Sequence, residues 1–116
     1  MPYLDIISFT CLDESEFGSD EVYAVARSRD GRVQATNTIG GMDSNETAYP
    51  NFAPMYFSPN GGYIDVTLWE EDGGGQGGDD DRLGSTLRIG PYDSGHVERY
   101  TLQGSGGTYT LAWEII

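Results

Sequence analysis

Two stretches of the chain alternate with the period of a half-buried strand. Over 62–69, Ile64, Val66 and Leu68 alternate with Asp65 and Thr67, and over 108–115, Tyr109, Leu111, Trp113 and Ile115 alternate with Thr110, Ala112 and Glu114. Each pattern predicts a strand with one buried face and one wet face. Further strands are predicted at 3–11, 21–28, 32–38, 83–89 and 96–102, bounded by turn signals such as Asp30-Gly31 and Asn60-Gly61. Segment 39–61 has three Pro and no sustained alternation, which predicts a long connection with one short strand around Met55-Tyr56-Phe57. SDEVYAVARSR also admits a helix, because Val22, Val25, Ala26 and Arg29 fall at helical spacing behind Ser19 as an N-cap. Short strands with frequent breaks predict an all-β fold, an antiparallel β-sandwich of about 7–8 strands. A length of 116 residues suits one domain over 1–116.

Charge changes this picture more than composition does. The net charge is -13, yet five acids lie in 13–21 and six in 70–81, leaving the other eight nearly balanced by six Arg. The excess therefore belongs to two short segments, the second of which contains the Gly-rich run DGGGQGGDD over 72–80. Nucleic-acid binding is excluded as an expectation, since a phosphate-binding surface needs clustered Lys and Arg and the chain has no Lys. One Cys and one His exclude an intramolecular disulfide and a thiolate or histidine zinc site. No membrane-spanning run is visible, and MPYLDIISFT shows no standard export signal, so the sequence assigns no location.

Loops rich in Gly and Asp can wrap carboxylates and carbonyls around one centre, which is the geometry of a hard cation. Two acidic loops at one end of a sandwich would supply the six to eight oxygens that calcium takes. Without a cation, like charges ~4 Å apart repel by ~4 kcal/mol at an effective dielectric near 20. Taken singly, each loop also reads as a solvated acidic surface. Simpler calcium motifs fail. An EF-hand counted from Asp79 puts Leu83 and Gly90 at its fifth and twelfth positions, where oxygen ligands belong. GGGQGGDDDRL has the flavour of the Gly-Asp nonapeptide of parallel β-helices, but that architecture needs stacked copies.

LDESEFGSDEVYAV resembles the first calcium loop of the C2 domain family, in which an acidic residue precedes Gly-Ser-Asp-Pro-Tyr-Val; the chain has Gly18-Ser19-Asp20-Glu21-Val22-Tyr23. IDVTLWEEDGGGQGGDDDRLG is similar to the family's later calcium strand and loop, with Leu68-Trp69-Glu70-Glu71-Asp72 and Asp81-Arg82-Leu83-Gly84 in the places of Val-Trp-Asp-x-Asp and Asp-x-Ile-Gly. The likeness spans about residues 3–89, and the 57 positions between Asp13 and Glu70 suit the family's layout. It implies a C2-like sandwich binding Ca2+ through Asp13 or Glu14 and Asp20 in one loop and Glu70, Asp72 and Asp81 in the other. Glu16, Asp79 and Asp80 are additional acids within reach of that set. The chain departs from the family at Glu21, where Pro is usual, at Glu70, where Asp is usual, and in a longer second loop.

The family often docks on anionic lipid. Here Phe17 alone offers an apolar first-loop tip and the second tip is Gly-Gly-Gly-Gln-Gly-Gly. Two calcium ions would bring the charge only from -13 to about -9, so lipid docking is not favoured. A glycan or protein partner bridged by calcium is the alternative. A different class of reading is an acidic module that binds a basic protein or serves a structural role without metal.

Catalytic readings are weaker. His96 lies near Asp93, Ser94 and Glu98 in sequence but has no nucleophile arrangement. Carboxylates around Cys11 would raise its thiol pKa, and the residue reads as a small buried side chain. A sandwich of this size leaves little room for a sugar cleft between paired catalytic carboxylates. Trp69, Trp113 and the eight Tyr read mainly as core and cross-strand residues, with any exposed ring a candidate for sugar stacking. The chain is therefore expected not to be an enzyme.

Overall fold

The computed structural model describes residues 2–14, 20–59, 62–71, 81–92, 95–104 and 107–116, with side chains at 14, 20 and 81 left aside. The chain forms β1 (Tyr3–Glu14), β2 (Asp20–Ser28), β3 (Val33–Ala35), β4 (Ile39–Met42), β5 (Thr47–Ala48), β6 (Met55–Tyr56), β7 (Ile64–Glu70), β8 (Asp81–Arg82), β9 (Leu87–Ile89), β10 (Val97–Gly104) and β11 (Gly107–Ile115). All pairings are antiparallel and fall into two sheets. In one, β10, β11 and β1 run side by side, and β5 and β6 share the far edge of β1. In the other, β3 and β4 share one edge of β2, β7 lies on its other side, and β8 and β9 share the far edge of β7. Among the described residues, eleven segments thus fill four strand positions in each sheet, the all-β antiparallel sandwich that the alternation predicts.

Alternation decides which side chains meet between the sheets. Leu111, Trp113 and Ile115 of β11 and Ile64, Val66 and Leu68 of β7 are buried, joined by Val22, Ala24 and Ala26 of β2. Each large aliphatic or aromatic side chain removed from water contributes about 1.5–3 kcal/mol, so these rows dominate the stability. On β1 the inward set is Leu4 and Ile6, then Phe9 and Cys11, a change of parity absorbed by a register shift between Ile6 and Ser8. The helix alternative around Ser19 fails, because residues 22–28 pair with β7 along their length.

Three predicted elements differ in extent. Only Val33–Ala35 pairs within the expected strand 32–38. Beyond it, Thr36 Oγ1 accepts the Ala24 N–H at 2.9 Å, so a side chain continues the ladder. The expected strand 83–89 forms only over Leu87–Ile89, beyond Gly84, whose φ of +85° takes the backbone out of the extended region. Segment 39–61 contains β4, β5 and β6 instead of one short strand. These are edge segments held by backbone pairing, with too few residues to show a side-chain period. The tyrosines also divide: Tyr109 is fully buried, whereas Tyr49 and Tyr92 are largely exposed.

On the outer face of the first sheet, Asp5 of β1 stands opposite Glu114 of β11. Burial, and secondarily the Glu114 charge, raise the Asp5 pKa above its ordinary 3.8. A carboxyl with a raised folded-state pKa holds more protons folded than unfolded, so stability from this group falls as pH rises from 3.8 through the folded value. Asp5→Asn is therefore expected to raise the urea midpoint at pH 7 and to lose that advantage near pH 3. A variant equal to wild type at pH 7 would refute the assignment.

Candidate metal centre

The strand connections bring the acidic segments to one end of the sandwich. β1 ends at Glu14 and β2 begins at Asp20, while the antiparallel pairing of Val22 with Glu70 sets the end of β7 beside the start of β2. Asp81, the first residue of β8, pairs with Glu70. The Glu71 N–H donates to the Glu21 carbonyl at 2.7 Å and ties the two acidic segments together where they leave the sheet.

Glu70 is the side chain that best fits a cation site. In β7 the inward row runs Ile64, Val66, Leu68, Glu70, and parity carries the carboxylate to the core face at 2% exposure. A carboxylate is retained there only where a cation or a donor compensates its lost hydration. Asp13 lies beyond a second register shift of β1, between Cys11 and Asp13, and is exposed opposite Thr108. The backbones of Glu14, Asp20 and Asp81 stand at the strand ends just described, and their side chains lie outside the described set. Glu16, Asp72, Asp79 and Asp80 lie outside the described residues altogether. Among the described residues, no three acidic, His or Cys side chains gather closely enough to hold a metal ion.

A third acidic connection reaches the same end, and the sequence reading did not single it out. Met42 pairs with Asp20 and Thr47 with Thr10, so the turn Asp43-Ser44-Asn45-Glu46 crosses from one sheet to the other beside both acidic segments. The turn is built locally: the Glu46 N–H donates to the Asp43 carbonyl at 3.1 Å, and the Asp43 N–H donates to Glu46 Oε1 at 2.7 Å. Asn45, at φ 72°, takes the left-handed conformation that Asn tolerates. Cys11 clamps it to β1, receiving the Asn45 N–H at 2.7 Å on its carbonyl and donating its own N–H to Glu46 at 2.9 Å. The polar run DSNE after Gly40-Gly41 was the available signal.

Two ion pairs lie at the opposite end. Arg32 holds Asp30 at 3.1 Å, and Arg88 holds Asp65 at 2.9 Å. The Ser28 hydroxyl, then Arg32, lower the Asp30 pKa, while the hydrogen bonds that Arg88 donates to Asp65 raise that of Arg88. Among the described residues, Asp13, Asp43, Glu46, Glu70 and Glu71 gather toward the end where β1, β4 and β7 finish. The residues that tempted a catalytic reading lie apart from any common site: His96 is exposed near the start of β10, and Cys11 is buried in the core.

No family profile and no curated protein matches the sequence. A solved structure described as "Structure of a C2 domain" superposes with a TM-score of 0.66 at 17% identity, covering 98% of this chain and 96% of that one. The match includes the last two strands, over which the sequence likeness is least specific. In architecture, this chain has a C2-like fold.

Proposed function

We propose that the chain is a non-enzymatic calcium-binding module. Ca2+ is held at the acidic end between segments 13–21 and 70–81, with Asp13, Asp20, Glu70, Asp72 and Asp81 as the principal ligands. Glu14, Glu16, Asp79 and Asp80 are neighbouring acids available to the ion. The observation that carries this reading is the buried carboxylate of Glu70, aligned with the core row of β7 where both acidic segments leave the sheets. A hard divalent ion suits such a donor set, since calcium accepts many carboxylate and carbonyl oxygens in irregular geometry. The C2-like fold supports a binding role for loops at one end of the sandwich. The bound ion then presents a local positive site for a glycan or a protein carboxylate. Lipid docking is not favoured, because the chain's net charge of -13 is only partly offset by bound calcium.

Thermal unfolding of chelator-treated protein tests the reading, with millimolar calcium compared against magnesium. Ligand at about 100 times its Kd stabilises a folded protein by ~2.7 kcal/mol per site, which for a chain of this size raises Tm by several degrees. A calcium-selective rise is expected. No rise, or an equal rise with magnesium, would favour the metal-independent reading, in which the acidic end engages a basic protein.

A further inference from the structure

A recess lies at the end away from the acidic segments, where the open side of the sandwich separates β9 from β10. It encloses about 140 Å³ and its lining includes Arg88, Gly90, Tyr92, Glu98, Trp113 and Ile115. Its walls follow from register. Glu98 of β10 stands directly opposite Trp113 of β11, so both side chains emerge on the same face of the sheet. Trp113 is nearly covered, whereas the Tyr92 ring is 79% exposed. That ring rests on Gly90, where an added Cβ would meet its Cε2 at 2.5 Å, so the glycine provides the seat that holds the ring over the recess.

The charges in the recess are unequal. Arg88 already gives Nε and Nη2 to the two oxygens of Asp65 at 2.9 and 3.1 Å and stacks 3.6 Å from the Tyr63 ring centroid. Glu98 has no hydrogen bond or ion pair among the described residues. A carboxylate in a recess that two aromatic side chains also line, in a chain of net charge -13, attracts a weakly hydrated cation and repels an anion.

We propose that this recess binds an alkylammonium group, with Tyr92 and Trp113 supplying π-faces and Glu98 the countercharge. The volume suits a methylated ammonium head or the end of a lysine side chain. The site is separate from the calcium centre and does not depend on it.

The test is titration of the full chain with tetramethylammonium chloride against sodium chloride at equal ionic strength, following the two indole N–H resonances by NMR. Trp69→Phe assigns them by removing one. A saturable shift confined to Trp113 is expected, weakened about tenfold or more in Glu98→Gln and in Tyr92→Ala and unchanged in Glu70→Gln. Tyr92 and Glu98 both lie outside the core, so both variants should fold, which the unshifted remainder of the spectrum checks. A peptide carrying one trimethyllysine distinguishes sources: tighter binding than the free ion assigns a protein side chain, equal binding a free amine. No saturable shift, a shift that survives Glu98→Gln, or an equal shift with glucose would overturn the proposal, the last in favour of a sugar site.

Discussion

Gly104→Ala is expected to destabilise the fold by about 1–3 kcal/mol, a fall in Tm of roughly 5–20 °C. A Cβ at Gly104 would stand 2.6 Å from the Arg82 carbonyl oxygen and 2.7 Å from the Gly84 nitrogen. Both are backbone atoms, so no side chain can rotate away. The clash is transmitted, because β8 carries Asp81 against Glu70 and the Leu83 N–H donates to the Leu68 carbonyl at 2.8 Å. Pushing β8 outward should therefore also weaken the response to calcium. Gly40→Ala is the control: an added Cβ there meets nothing within 4 Å, so its midpoint should stay near wild type. Urea unfolding of the two variants decides the matter, and equal midpoints would sink the steric argument.

Glu70→Gln should remove most of the calcium-induced rise in Tm. The substitution keeps the size and planarity of the side chain while taking the charge from a site of 2% exposure. A tenfold loss of affinity lowers linkage stabilisation by ~1.4 kcal/mol at fixed calcium, and loss of a central carboxylate ligand should exceed that. Because burial makes any change at this position felt by the fold, the readout is the difference between calcium and chelator for each protein. Glu98→Gln, at the far end of the sandwich, should leave that difference intact. Together with the ammonium titration this forms a reciprocal pair, each variant silencing one cation and sparing the other. A full calcium response in Glu70→Gln would move the site away from the rim of β7.

The long strands were legible because their side chains report burial residue by residue. Ile64, Val66 and Leu68 announce the inward face of β7, and the same row extended by two positions would have marked Glu70 as buried. That extension was missed because a glutamate reads as solvated when charge is counted along the chain instead of across the sheet. Edge segments were poorly legible for a related reason. Thr47–Ala48 and Met55–Tyr56 are held by pairing to β1, and two residues carry no period. The helical reading of 19–29 rested on Val22, Val25, Ala26 and Arg29, whereas the buried row of β2 is Val22, Ala24 and Ala26, and pairing with β7 decides for the strand. At the candidate site, the charge clusters were visible at once, but the Asp43–Glu46 turn was not, since its position depends on which strands flank it.

The interrupted edges have a consequence for how copies of this chain meet one another. Among the described residues, three of the four sheet margins are broken into paired segments of two to four residues, too short to template another strand. β10 is the exception, an unbroken margin of eight residues, Val97–Gly104, with Val97 and Tyr100 exposed along it. Its outer backbone groups face away from β11 and offer a ready ladder. Intermolecular strand addition, and the aggregation that follows from it when the protein is concentrated or partly unfolded, is thereby channelled to a single rim, where Glu98 and Arg99 are the charges that stand guard.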